Sequence, residues 1–94
     1  MPVMIVKYRI ADFDQWKQVF DQVEAFRREH GWIGHEVYRD SADPNLVLIL
    51  HRVPDFDQAH AYSSSEVVRS AMARAGVQSP PELWLMNEAD IKQY

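Results

Sequence analysis

The four residues DFDQ stand at 12–15, within IADFDQWKQVF (residues 10–20), and again at 55–58, within RVPDFDQAHAY (residues 52–62). Each copy follows an extended apolar run and precedes a helical pattern, the position of a strand-to-helix joint. An aspartate at such a joint caps the helix by accepting a hydrogen bond from a first-turn amide. A glutamine three residues on can reach back to the cap's own amide. Asp12 with Gln15 and Asp55 with Gln58 fit that reciprocal box, and Asp14 and Asp57 fall in the first turn, where negative charge suits the helix dipole. Paired carboxylates could instead work as general acid and base. Caps of this spacing are common at exposed helix starts, so the structural role is the stronger reading.

Working outward, MPVMIVKYRI before the first joint reads as a strand. After that joint Trp16, Val19, Phe20, Val23 and Phe26 recur at steps of three and four, with Lys17, Gln18, Asp21, Glu24 and Arg28 on the other face. The spacing predicts one helix from Phe13 to His30, with His30 as a cation at its C-terminal end and Gly31 as its stop. Residues 33–40 then read as a strand, SADPN (41–45) as the turn of a hairpin, and LVLIL (46–50) as a strand continuing to Arg52 before Pro54. The second helical pattern breaks at Ser63, Ser64 and Ser65. There the Ser63 to Glu66 spacing predicts a fresh cap for EVVRSAMARA, rather than hydrolase chemistry at the serines. A linker at 77–81 leads to a last strand at 82–89.

The predicted order is strand, helix, strand, strand, helix, strand: one α+β domain spanning 1–94, with a ferredoxin-like βαββαβ order. Its four-stranded antiparallel sheet carries the helices on one face. A solvated second face should alternate polar with apolar residues. LVLIL is apolar at both parities and WLM at 84–86 nearly repeats this, so the far face calls for a cover. With no further segment to supply one, the expected partner is a second copy of the chain, sheet against sheet.

Composition narrows the function classes. The chain has 94 residues, 47% hydrophobic and 26% charged, which suits a globular domain near the small end of what buries an adequate core alone. A net charge of −4 and no basic cluster beyond Arg27 and Arg28 argue against nucleic acid as a partner. With no cysteine there is no disulfide or thiolate site. The start lacks signal-peptide features and no apolar run is long enough for a membrane, so a cytoplasmic location is expected. Neither metal-ligand spacing nor a glycine-rich phosphate loop is present, so neither a metal nor a nucleotide cofactor is expected.

The phrases IADFDQWKQVF, HEVYRDSADPNLVLIL and SSSEVVRSAMARAGVQSPPELWLMNEA, with DPN and AMARAG inside them, resemble the small dimeric α+β barrel proteins of the antibiotic biosynthesis monooxygenase-like superfamily. They are most similar to its uncharacterised or "cyclase" members. The resemblance spans nearly the whole chain and matches no catalytic motif residue by residue. It implies a homodimer packed through its sheets, a pocket in each subunit between sheet and helices, and in some members cofactor-free oxygenation of polycyclic phenols. Other members degrade haem or rearrange aromatic polyketides, so kinship does not select one chemistry.

Histidines and aromatics are the candidates for lining such a pocket. His51 interrupts an apolar strand, so its imidazole must be hydrogen-bonded or face a cavity, and it could equally be a satisfied interface residue. His35 lies on the hairpin partner, near the same end of the sheet. Whether the two share a face depends on loop parity, which the sequence leaves open. His60 is expected at the surface. Trp16 belongs to the apolar stripe and could also touch a ligand, while Tyr8 and Trp84 sit on strands expected to be neighbours and suit a flat aromatic molecule. Asn87, near the end of the last strand, could hold a carbonyl or oxyanion, or simply lie exposed. Two functions fit these residues. One is a cofactor-independent monooxygenase-like or cyclase-like enzyme in which His51 or His35 takes a phenolic proton while Tyr8, Trp16 and Trp84 hold the ring. The other is a non-catalytic dimeric module that binds a small aromatic or apolar metabolite.

Overall fold

The computed structural model describes residues 1–94. The elements run β1 (Pro2–Arg9), α1 (Phe13–Gln22), α2 (Glu24–Glu29), β2 (Gly34–Arg39), β3 (Leu46–Arg52), α3 (Phe56–Ser63), α4 (Glu66–Arg74) and β4 (Glu82–Asn87). The strands form one antiparallel sheet in the order β2-β3-β1-β4. Each strand–helix–strand half therefore encloses a strand of the other half, which is the ferredoxin-like order expected from the two DFDQ joints. The register of β1 with β3 sets Val6 against Ile49, and these residues lie 43 apart, as do the two joints. A local two-fold axis thus passes between Val6 and Ile49 and relates one half of the chain to the other.

Both joints are built as caps. Asp12 Oδ2 accepts the Gln15 amide N–H at 2.8 Å and Asp55 Oδ1 accepts that of Gln58 at 2.7 Å. The return bond of the box is replaced at the first joint, where the Gln15 side chain donates to the Arg74 carbonyl at 2.9 Å and ties α1 to the end of α4. Gly31 stops the first arm with φ +86°. Only glycine adopts this conformation without strain, and a Cβ there would lie 2.7 Å from Pro54 Cγ.

The single first helix predicted from periodicity is divided at Val23, whose φ of −92° and ψ of 0° form a tightened turn. The cause is a side chain entering the helical hydrogen-bond ladder. The Phe20 carbonyl accepts from the Val23 N–H at 3.2 Å and from Arg27 Nη2 at 2.7 Å. In the serine stretch the cap of α4 is Ser65, not Ser63. Ser63 ends α3, Ser64 stays in the turn with its hydroxyl on the His60 carbonyl, and only Ser65 is extended (φ −74°, ψ 150°), as an N-cap must be. Its hydroxyl accepts the Val68 N–H at 3.2 Å. The last strand ends at Asn87.

The helix side of the sheet buries Met4, Val6, Tyr8, Val47, Ile49 and His51 beneath Trp16, Phe20, Val23, Ala59, Tyr62, Val68 and Ala71. The far side carries Ile5, Leu48 and Leu50, partly exposed, beside exposed Tyr38, Trp84 and Met86. Arg52 also lies there, bridging Glu36 at 2.6 Å and Glu88, and so ties β2 and the C-terminal segment to β3. Both parities of LVLIL are therefore accounted for, one by the core and one by the far face. No helix is long and apolar enough to cross a membrane.

Candidate functional site

Between the helix side of the sheet and the two helical arms lies a cavity of about 90 Å³. Of its 18 lining residues 14 are hydrophobic, so the few polar groups on its wall decide how anything inside is oriented. It opens toward the β4 edge, where the lining residues Pro81 and Leu83 are exposed. Tyr8 and His51 are related by the local two-fold, each standing four residues before the aspartate of its joint. The repeat thus places a phenol and an imidazole on one wall.

His51 is 4% exposed, and its Nδ1 accepts the indole N–H of Trp32 at 2.9 Å. An indole nitrogen can only donate, so the Nδ1 lone pair is engaged and the ring proton sits on Nε2. Burial, then the charge of Arg27, then His35 bring the His51 pKa down to about 3, and the ring is neutral at ordinary pH. No buried side-chain nitrogen or oxygen lacks a partner, so the Nε2–H reaches the cavity surface. In this state His51 offers a donor and has no free lone pair with which to take a proton.

The other polar groups are also donors. Tyr8 Oη accepts the Trp16 indole N–H at 2.8 Å, and burial pushes its pKa up to about 12, so the phenol keeps its proton. Tyr62, whose pKa burial also raises, lies 3.5 Å from Arg27 Nη1. Arg27 itself is 2% exposed, and its guanidinium lies 3.8 Å from the centroid of the Phe20 ring. Its hydrogen-bond partners are the Phe20 carbonyl and the Tyr62 hydroxyl, and it is in none of the ion pairs of the structure. Arg27 is shared between the cavity and a wider outer groove that also contains Glu24, Arg28, Trp32 and His35.

The parity question left open by the sequence is answered: His35 pairs directly with His51 across β2 and β3, so both point to the helix side. They are nevertheless in different places. His35 packs its edge on Phe20, with ring centroids 4.8 Å apart, and lines the outer groove, while His51 lines the cavity. Burial, then Arg27 and Lys17, lower the His35 pKa. Tyr8 and Trp16 line the cavity as expected.

Trp84 does not join them. It pairs with Ile5, one residue out of phase with Met4, Val6 and Tyr8, and so projects from the far face at 38% exposure. Asn87 pairs with Pro2 at the exposed end of β4 and does not line the cavity. His60 is exposed, and His30 Nδ1 bonds the Phe26 carbonyl at 2.9 Å near the end of α2. No group of three or more His, Asp or Glu side chains converges anywhere.

Tyr62 lines the cavity, whereas Arg27 and Trp32 are site residues that the sequence did not single out. Arg27 had a signal: Phe13, Trp16, Phe20, Val23 and Arg27 step by three and four along one stripe, so a charge occupies the next core position.

No family model matches the chain and no curated protein matches it. Solved structures do. A putative antibiotic biosynthesis monooxygenase from Bordetella bronchiseptica superposes with a TM-score of 0.78 at 11% identity, covering 94% of this chain and 96% of that one. SnoaB, a cofactor-independent oxygenase from Streptomyces nogalater, gives 0.73 at 18% identity over 96% and 94%. An antibiotic biosynthesis monooxygenase gives 0.72 at 15% identity over 96% and 100%. The chain has the ferredoxin-like α+β fold of the antibiotic biosynthesis monooxygenase structures over nearly its whole length. At these identities the likeness fixes the fold and leaves the chemistry to the site.

Proposed function

We propose that the cavity binds a small aromatic molecule and that the protein acts on it as a cofactor-independent monooxygenase-like or cyclase-like enzyme. The observation that carries this reading is the wall itself: apolar surfaces for a ring, with the Nε2–H of a neutral His51 and the Tyr8 and Tyr62 hydroxyls able to hold a ring oxygen as it gains negative charge. An apolar cavity of about 150 Å³ admits benzene. The cavity is smaller, so a ring enters by displacing the β4 edge at its mouth, at Pro81 and Leu83. With the His51 lone pair engaged and His35 in the outer groove, no histidine of the cavity wall is free to receive a phenolic proton, and His51 acts by donating to the ring oxygen. The fold shared with a cofactor-independent oxygenase supports the class of reaction.

The test is oxygen uptake by purified protein with quinol-type substrates. Turnover above the uncatalysed rate that falls about a hundredfold in His51→Ala is expected. No acceleration of any quinol, or a His51→Ala variant of unchanged rate, defeats the enzymatic reading.

The engaged lone pair of His51 favours a second reading, a binding module without turnover, because the buried wall then contains no general base. Saturable thermal stabilisation by an aromatic ligand that is recovered unchanged is expected in that case, and conversion of the ligand excludes it as a full account.

A homodimer formed through the far sheet face belongs to the same proposal. Trp84, Met86 and Tyr38 are exposed beside Ile5, Leu48 and Leu50, a largely apolar surface that also carries Lys7, between Leu48 and Glu82, and Arg52, paired with Glu36 and Glu88. Sedimentation at micromolar concentration should show a two-fold mass, and a lone protomer refutes it. The proposed compartment is the cytoplasm, in keeping with a cysteine-free chain, and cell fractionation checks it.

A further inference from the structure

Arg27 is a fixed positive charge placed where the fold spends apolar residues. A buried guanidinium is ordinarily matched by a carboxylate, because removing the charge from water is costly and a neutral partner repays only part of it. Here a backbone carbonyl, a hydroxyl at 3.5 Å and the face of Phe20 are its whole set of partners. Glu24, the acid of the same groove, is paired with Arg28 at 3.2 Å. The polar groups sharing the cavity wall with Arg27 add no negative charge: Tyr8 and Tyr62 keep their protons and His51 presents an N–H. Every one of these groups can donate, and the wall has no carboxylate.

We propose that Arg27 is the counter-ion for a ligand that arrives as an anion, and that the cavity selects a small ring compound bearing a delocalised oxyanion such as a carboxylate. The proposal rests on the ring-binding reading above and adds the charge of the ligand to it. The planar guanidinium suits a two-oxygen anion, and the hydroxyls and imidazole N–H beside it give the remaining lone pairs partners. A neutral amide of the same shape would bring N–H groups against a wall of donors and leave the guanidinium without an anion.

Benzoate and benzamide, equal in shape and opposite in this respect, make the test, titrated into the full chain by tryptophan fluorescence. Benzoate should bind at least about tenfold more tightly, the range of a charge-assisted hydrogen bond over a neutral one. Arg27→Met should remove that preference, and Arg27→Lys should keep part of it. Equal affinity of the two probes for the unaltered protein overturns the proposal and leaves ring binding standing. Retention of the preference in a folded Arg27→Met chain overturns it as well. If Arg27→Met does not fold, the Arg27→Lys chain and the probe ratio of the unaltered protein decide. Failure of both probes to bind at millimolar concentration defeats this inference and ring binding together.

Discussion

The two halves of the chain share a joint and differ in what they pack beside it. Displaced by 43 residues, Val6 corresponds to Ile49 and Tyr8 to His51, yet Trp16 corresponds to Ala59 and Phe20 to Ser63. The first arm fills its side with stacked rings: Trp16 lies 5.6 Å from Phe13 and 4.8 Å from Phe20, between ring centroids. The second arm buries Ala59, Ala71 and Ala75. Repeated caps set where the helices start, whereas unequal side chains leave space between arms that the same backbone could have closed. The polar groups follow the same asymmetry, since Arg27 of the first arm corresponds to exposed Ser70 of the second.

The sharpest way to break this contrast is at the paired positions Trp16 and Ala59. Trp16→Ala removes a fully buried ring and the donor to Tyr8, and should lower stability by about 3–5 kcal/mol in urea denaturation. Ala59→Gly should lower it by about 1 kcal/mol. Equal losses would show that the two arms share the core evenly, against the structure.

The helix stops give a smaller difference of the same kind. Gly31 and Gly76 both have positive φ, but a Cβ at Gly31 meets Pro54 Cγ at 2.7 Å, and one at Gly76 meets Ala11 Cβ at 3.4 Å. Gly31→Ala should therefore destabilise by about 2–4 kcal/mol, strain plus overpacking, and Gly76→Ala by about 1–2 kcal/mol. Thermal melts of the two variants compare them directly, and a reversed order would contradict the packing of Pro54 on the first stop.

The Tyr8 and His51 pair sharpens the contrast by pH. The folded pKa of His51 is lowered to about 3 from 6.5, so between those values the unfolded chain binds the extra proton. Stability from this group is complete above pH 6.5 and is lost as pH falls toward 3, amounting to about 2 kcal/mol between pH 7 and 5. His35, lowered in the same direction, adds to the slope. Denaturation midpoints at the two pH values, compared with those of His51→Phe, isolate the contribution of His51. A slope unchanged in His51→Phe would mean that the buried imidazole does not titrate as its surroundings require.

Caps, stripes and turns are local, so DFDQ, Gly31 and the SADPN turn were legible along the chain, and with them the order of strands and helices. Apolar alternation likewise placed LVLIL against two surfaces. The break at Val23 escaped periodicity because its cause is a bond from Arg27 to the Phe20 carbonyl, seven residues back along the chain. The companionship of Trp84 with Tyr8 failed for a related reason: strand adjacency follows from topology, but the face of a side chain depends on register, and a shift of one residue reverses it.

What the amino-acid order determined, then, is the scaffold, because capping hydrogen bonds and three-four spacing act between residues a few positions apart. Only the tertiary structure decided the site. The tautomer of His51 depends on Trp32 reaching it from another segment, and the lone charge of Arg27 depends on which side chains come within a few ångströms of it. Neither is a property of neighbours in sequence.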